Sequence, residues 1–191
     1  MSAASTPASK KTKKTGPVLV IVESPTKANT IRKYLGEGYE VEASVGHVRD
    51  LVTRKSDLTP KDKRRDEAWV KYGVNIDNNF DPLEEIYRVP ASKKRQIDTL
   101  KRQLKDATAL YLATDDDREG EAISWHLVEE LKPKVPVRRL VFREITKTAI
   151  QHSLESPREL DMDLVNAQRA RRVVDRLYGW DVSQVLWRKI K

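Results

Sequence analysis

An α/β fold built on a mostly parallel sheet is predicted for this chain of 191 residues, on three observations. The short apolar runs at Val18–Val22 and Ala109–Ala113 have the length of strands buried on both faces. Each is followed at once by a helix-start signal, Ser24-Pro25 after the first and the acidic stretch from Asp115 after the second. Amphipathic patterning fills the intervals, so strand and helix alternate four times. That alternation implies a parallel sheet with right-handed crossovers.

Taken in order, residues 1–16 are low in complexity and carry Lys10, Lys11, Lys13 and Lys14; a disordered basic tail is expected. After the first strand, Ser24 is a good N-cap and Pro25 suits the first helical position. The helix should run to about Leu35 and stop near Gly36 and Gly38. Tyr39–Val45 alternates as a second strand. Residues 53–70 hold Arg54, Lys55, Lys61, Lys63, Arg64 and Arg65, and read as a long, mobile, basic insertion. Asn75–Tyr87 gives no clear pattern beyond an extended piece around Ile86. Ala91–Lys105 is a basic amphipathic helix with Ile97, Leu100 and Leu104 as its buried stripe. A helix is expected after Gly120 to about Leu131, a short strand at Arg138–Phe142 and a helix from Thr146 to about Ser156. Pro157 marks a boundary. Asp163 then caps a helix from Leu164 to about Tyr178, with Ala167, Ala170, Val173, Val174 and Leu177 as its apolar stripe.

The chemistry concentrates at Asp115-Asp116-Asp117-Arg118-Glu119-Gly120-Glu121, where five carboxylates fall within seven residues. Asp115 and Asp117 are two apart at a strand end, so their side chains leave on the same side. Like charges this close need a cation or shared protons. A hard divalent ion such as Mg²⁺, which requires one or two carboxylates plus waters, suits them. A solvated helix start with an Asp cap fits the same residues. Glu23 and Lys27 also sit at the C-terminal end of a strand, the edge where open α/β sheets bind ligands. His47 directly follows Gly46 at the end of the second strand, beside Arg49, and a DNA contact is expected there. Arg169, Arg172 and Arg176 gather on one side of the last helix, and Arg171 and Asp175 pair on the other. Guanidinium forks suit phosphates and base edges, and Trp180 and Trp187 can stack on unpaired bases. Burial of this helix and its tryptophans against a partner explains the same residues.

Composition narrows the classes. Charged residues make up 35% of the chain and hydrophobic residues 38%, with a net charge of +8 and a pI near 9.6. A polyanionic partner, nucleic acid before membrane, follows. The absence of cysteine excludes disulfides and thiolate zinc sites and agrees with a reducing cytosol. No apolar run reaches membrane-spanning length, and no secretory signal opens the chain. The chain stops at Lys191 without a closing element, so a fragment is expected.

Five segments in this order resemble bacterial DNA topoisomerase I, a type IA enzyme. They are Val20-Ile21-Val22-Glu23-Ser24-Pro25-Thr26-Lys27-Ala28, Ser44-Val45-Gly46-His47-Val48-Arg49-Asp50-Leu51, Ala113-Thr114-Asp115 through Trp125-His126-Leu127, Val141-Phe142-Arg143-Glu144-Ile145-Thr146 and Asn166-Ala167-Gln168-Arg169-Ala170-Arg171-Arg172. The resemblance implies a Rossmann-like Toprim domain over 17–156. It also implies the incomplete start of a helical DNA-binding domain over 157–191. Glu23, Asp115, Asp117 and Glu119 become the metal and catalytic acids and Lys27 the group that stabilises the scissile phosphate. His47, Arg172, Asp175 and Trp180 fall where the family touches single-stranded DNA, with Arg171 nearby; Arg49 and Arg169 join this DNA-facing set. The implied reaction relaxes negatively supercoiled DNA through a 5′-phosphotyrosyl intermediate without ATP, in agreement with the absence of a Gly-x-x-x-x-Gly-Lys-Ser/Thr loop. The family's nucleophilic tyrosine belongs to a later domain, and none of the six tyrosines here sits in its motif. The fragment alone is therefore expected to be inactive. A cytoplasmic, nucleoid-associated monomer is expected, partnered by DNA and the remaining domains. A metal-dependent Toprim nuclease or primase-like enzyme is the alternative.

Overall fold

The computed structural model describes residues 16–64 and 67–190; most of the expected basic tail, together with Arg65 and Asp66, lies outside them. A parallel four-stranded sheet flanked by helices forms the body. Its strands are β1 (Val18–Val22), β2 (Tyr39–Ala43), β5 (Ala109–Leu112) and β6 (Val137–Arg139), in spatial order β2-β1-β5-β6, every pair parallel. A two-residue pair, β3 (Asp50–Leu51) and β4 (Tyr87–Arg88), stands apart and is antiparallel. The helices are α1 (Pro25–Leu35), α2 (Ala91–Asp106), α3 (Arg118–Leu131), α4 (Lys147–Glu155) and α5 (Met162–Lys189).

Alternation along β1 divides the core into two layers. Leu19 and Ile21 point to one face, where they meet Ile97, Leu100 and Leu104 of α2 and Ile123, Leu127 and Leu131 of α3. Val20 and Val22 point to the other, against Ala28 and Ile31 of α1 and Ile150 of α4. Full burial of β1 on both faces is what its unbroken apolar run predicts. The stripe expected for α2 is the stripe observed.

Four expectations need correction. Helix α3 starts at Arg118, before Gly120, because Asp117 rather than a later residue caps it. The last strand is shorter than 138–142: pairing ends at Arg139, and Leu140 adds one further bond to Leu112 O at 2.9 Å. The basic insertion is not a loose loop. It winds through three short 3₁₀ turns around its own apolar centre of Val52, Leu58, Trp69, Val70 and Ile86. Its high charge concealed how few apolar residues suffice when one is a tryptophan.

Helix α5 starts at Met162, capped by Asp161, and continues to Lys189, and only part of its expected stripe is packed. Ala167, Ala170 and Val174 are exposed, whereas Val165 and Val173 are buried and Leu177 is half-buried. Arg169, Arg172 and Arg176 lie on the packed side. Arg172 makes a two-bond pair with Asp50 (2.9 and 2.7 Å), and Arg169 Nε donates to Glu85 at 2.7 Å. Arg176 donates to the carbonyls of Leu51 and Val52. A guanidinium stem covers apolar surface while its fork satisfies buried acceptors, so an arginine row serves as a packing face here.

Candidate active site

The C-terminal ends of β1 and β5 are neighbours, because Val18–Ile21 pair in register with Ala109–Leu112. The residues that follow each strand are thereby brought together. Glu23 leaves β1, and the Asp115 backbone N–H, just beyond β5, donates to Glu23 Oε2 at 2.9 Å. Ser24 caps α1 by accepting from Lys27 N at 3.3 Å. The capped turn points the Lys27 ammonium back at the strand ends, where it pairs with both Glu23 and Asp115.

These three groups divide their charge unequally. Burial pushes the Glu23 carboxyl above the usual carboxylate range; Lys27 opposes the shift and Asp115 adds to it. Asp115 is held below that range, because the bonds to Lys27 and to Glu23 outweigh its partial burial. The Lys27 ammonium is driven up by the two carboxylates, against its own burial. Two carboxyls facing one cation split in this way, one shifted up and the other down.

The other two acids serve different partners. Asp117 accepts from Gly120 N at 2.7 Å and caps α3. Glu119 pairs with His47 Nε2 at 3.0 Å. Gly120 must lack a side chain, since a Cβ there would lie 2.2 Å from Asp115 O. The turn is tightened from within by buried Thr114, which donates to Gly120 O (2.7 Å) and lies 2.8 Å from Ser124 Oγ. Among the described residues, no group of three or more His, Asp or Glu side chains is gathered to hold a metal. The donor chemistry nonetheless fits a hard ion: Asp115 and Glu119 are exposed oxygen donors, Glu23 adjoins Asp115, and Mg²⁺ requires only one or two carboxylates with waters.

Beside this edge lies a cavity of about 380 Å³ bounded by His47, Arg49, Asp50, Tyr87, His126, Arg169 and Arg172. Its floor is aromatic and cationic. Arg49 stacks 5.0 Å over Tyr87 and 4.9 Å over Trp125, and donates to His126 Nδ1 at 2.8 Å. Arg169 lies 5.2 Å over the same Trp125 ring. Burial and the neighbouring Arg49 cation push the His126 imidazole down to about 3, so it is a neutral acceptor. The chain reaches the cavity through Val45 and Gly46, both in the left-handed region (φ 60° and 78°). For a β-branched residue such as Val45 that conformation is strained, and Gly46 N donating to Glu23 O at 2.8 Å holds it in place. A second, more open cavity of about 550 Å³ is lined by Arg172, Asp175, Arg176, Trp180 and Trp187. Asp175 is paired with Arg171 at 2.9 Å, as the helical spacing predicts, and Trp180 packs edge-on to Tyr72 at 5.7 Å.

The structure therefore joins Glu23, Lys27 and Asp115, and sets His47, Arg49, Arg169 and Arg172 around an adjacent cavity. Arg171 and Asp175 pair on the exposed side of α5, and Trp180 lies further along it. Tyr87, Trp125 and His126 were missed from sequence, although Trp125-His126 falls on the first two turns after the acidic stretch. Glu121, Arg139 and Arg158 were also missed.

Residues 18–145 match the Toprim domain. The chain is 57% identical over 172 residues to DNA topoisomerase 1 of Mycolicibacterium smegmatis, covering 90% of this chain and 18% of that protein. It is 56% identical over 174 residues to DNA topoisomerase 1 of Synechococcus elongatus, covering 91% of this chain and 19% of that one. Full-length topoisomerase I from Thermotoga maritima superposes with a TM-score of 0.72 at 39% identity, over 89% of this chain and 26% of the other. The chain thus spans about a fifth of the length of these curated relatives. With the Toprim match spanning well over half of its length, the chain belongs to the Toprim family.

Proposed function

We propose that this chain supplies the acidic, phosphate-handling part of a type IA DNA topoisomerase, acting on a single-stranded segment of negatively supercoiled DNA. The observation that carries the reading is the meeting of Glu23, Lys27 and Asp115 at adjacent parallel strand ends, beside a cationic, aromatic cavity. The relatives at 54–57% identity are DNA topoisomerases 1, and each of these residues lies in a segment that resembles that family.

In this reading a tyrosine from the remaining domains of the polypeptide attacks a phosphodiester. The P–O3′ bond breaks as the P–O(Tyr) bond forms, and the phenolic proton passes to solvent. Glu23, with its raised carboxyl, delivers a proton to the departing 3′-oxygen and takes it back on religation. Lys27 turns from its carboxylates to the non-bridging phosphate oxygens, where negative charge builds. His47, Arg49, Arg169 and Arg172 hold the strand, with Arg171, Asp175 and Trp180 extending the groove. Asp115, Asp117, Glu119 and Glu23 are the residues that would hold Mg²⁺, which would supply further charge neutralisation at the phosphate. Residues 157–190 belong in this view to the following DNA-binding domain, and the protein works as a cytoplasmic, nucleoid-associated monomer. Among the described residues no helix is long and apolar enough to cross a membrane.

The test is a graft of residues 17–191 into the matching segment of the Mycolicibacterium relative. The graft should relax supercoiled plasmid with Mg²⁺, and Glu23→Ala or Lys27→Ala should abolish relaxation. The isolated chain should bind Mg²⁺ and single-stranded DNA weakly and relax nothing. Cleavage by the isolated chain that survives replacement of all its tyrosines would instead favour a Toprim nuclease or primase-like enzyme.

A further inference from the structure

We propose that Arg139, oriented by Glu121, is a positioning residue that fixes where Asp115 presents its carboxylate. The inference rests on the reading of Asp115 as a functional acid. Both side chains are fully buried, and Arg139 Nε donates to Glu121 Oε1 at 2.8 Å. The rest of the fork is spent on backbone. Nη1 donates to Leu112 O (3.0 Å) and Leu140 O (2.8 Å), and Nη2 donates to Asp115 O at 2.5 Å.

One side chain therefore ties the last residue of β5, the residue after β6 and the first acid of the loop. Asp115 is pinned on two sides: its carbonyl by Arg139 and its N–H by Glu23. Glu121 extends the frame. Its Oε1 also accepts from Arg158 Nη2 at 2.6 Å, and its Oε2 accepts from Asp161 N at 3.1 Å, at the cap of α5. The acidic loop and the arginine-bearing helix are thus registered against one carboxylate.

Stability alone does not account for this arrangement. A buried ion pair is costly to desolvate, and apolar residues of equal volume fill such a space at least as well. Only a planar fork with donors in several directions reaches Glu121 and three separate carbonyls together. Lysine, with one nitrogen, cannot reproduce it.

The test uses hydrogen exchange at residues 113–121 with calorimetric titration of Mg²⁺, on the unsubstituted chain, Arg139→Lys, and Arg139→Met combined with Glu121→Met. In the unsubstituted chain the Asp115 and Gly120 amides should be protected nearly as well as mid-α3. In either folded variant, loop exchange should quicken about tenfold or more while β1 and mid-α3 hold their protection. Mg²⁺ affinity should fall on the order of 10- to 100-fold, as for the loss of an outer-shell support. The double variant removes both charges, so it guards against an Arg139→Lys chain that does not fold. Unprotected loop amides in the unsubstituted chain, or a folded variant with unchanged loop protection, would overturn the proposal. Absence of Mg²⁺ binding in the unsubstituted chain would count against the metal reading alone, and loop exchange would still decide the role of Arg139.

Discussion

His126 should make this fold acid-sensitive well above the carboxylate range. Its imidazole is 5% exposed, accepts from Arg49 and lies beneath the cavity. Burial, reinforced by the Arg49 cation, lowers it to about 3. In the unfolded chain a histidine titrates near ~6.5. Between those values the unfolded state binds a proton that the folded state does not, so stability rises with pH across this window and falls as pH drops below ~6.5. From pH 7 to pH 5 the linkage amounts to about 2 kcal/mol, or a midpoint drop of roughly 4–8 °C for a chain of this size. Urea unfolding of the unsubstituted chain and of His126→Asn at both pH values isolates the effect, because the amide offers Arg49 an acceptor and does not titrate. The unsubstituted chain should lose about 2 kcal/mol more than the variant over this step. Equal losses in the two proteins would refute the reasoning.

Substitutions at three other positions separate roles that overlap in sequence. Asp117→Asn should keep the α3 cap and Asp117→Ala should lose about 1 kcal/mol, read by thermal unfolding, so any metal effect shared by both belongs to the carboxylate. Arg172→Met should cost about 1 kcal/mol or less at pH 7, because it removes the partner of an Asp50 carboxylate that is 44% exposed and so screened by solvent. Burial pushes Asp50 up, but Arg172 outweighs it and holds the carboxyl low. Its contribution is therefore present above ~4 and lost as pH falls further, and the penalty of Arg172→Met should shrink near pH 3. Trp69→Ala should cost about 3–5 kcal/mol if the insertion folds with the body, or release the 52–86 region alone to proteolysis if it unfolds separately.

Legibility in the sequence followed how local the determining physics is. Strand β1, helices α1 and α2 and strand β5 were readable because their burial is written in adjacent residues: a continuous apolar run, a Ser-Pro start, a three-four stripe. The site edge was readable for the same reason, since parallel strands put Glu23 and Asp115 at one end. Helix α5 was only partly legible because Val165, Val173 and Leu177 share its packed face with arginines. The groups that satisfy them, Asp50, Glu85 and the carbonyls of Leu51 and Val52, lie more than eighty residues away. The insertion hid its centre because Val52, Leu58, Trp69 and Ile86 show no period. Arg139 was invisible for a related reason. It sits beside Arg138, which is half-exposed and pairs with Glu159, and nothing in the two letters tells the buried guanidinium from the solvated one.

Whether the strand-end carboxyls form one ion-binding place is open to direct measurement with Mn²⁺, a carboxylate-seeking stand-in for Mg²⁺. Titrated at substoichiometric levels, it should broaden the amide resonances of Ser24, Asp115 and Asp116 first, and both Glu23→Gln and Asp115→Asn should weaken the effect. Broadening that begins elsewhere, or that ignores both substitutions, would contradict the account.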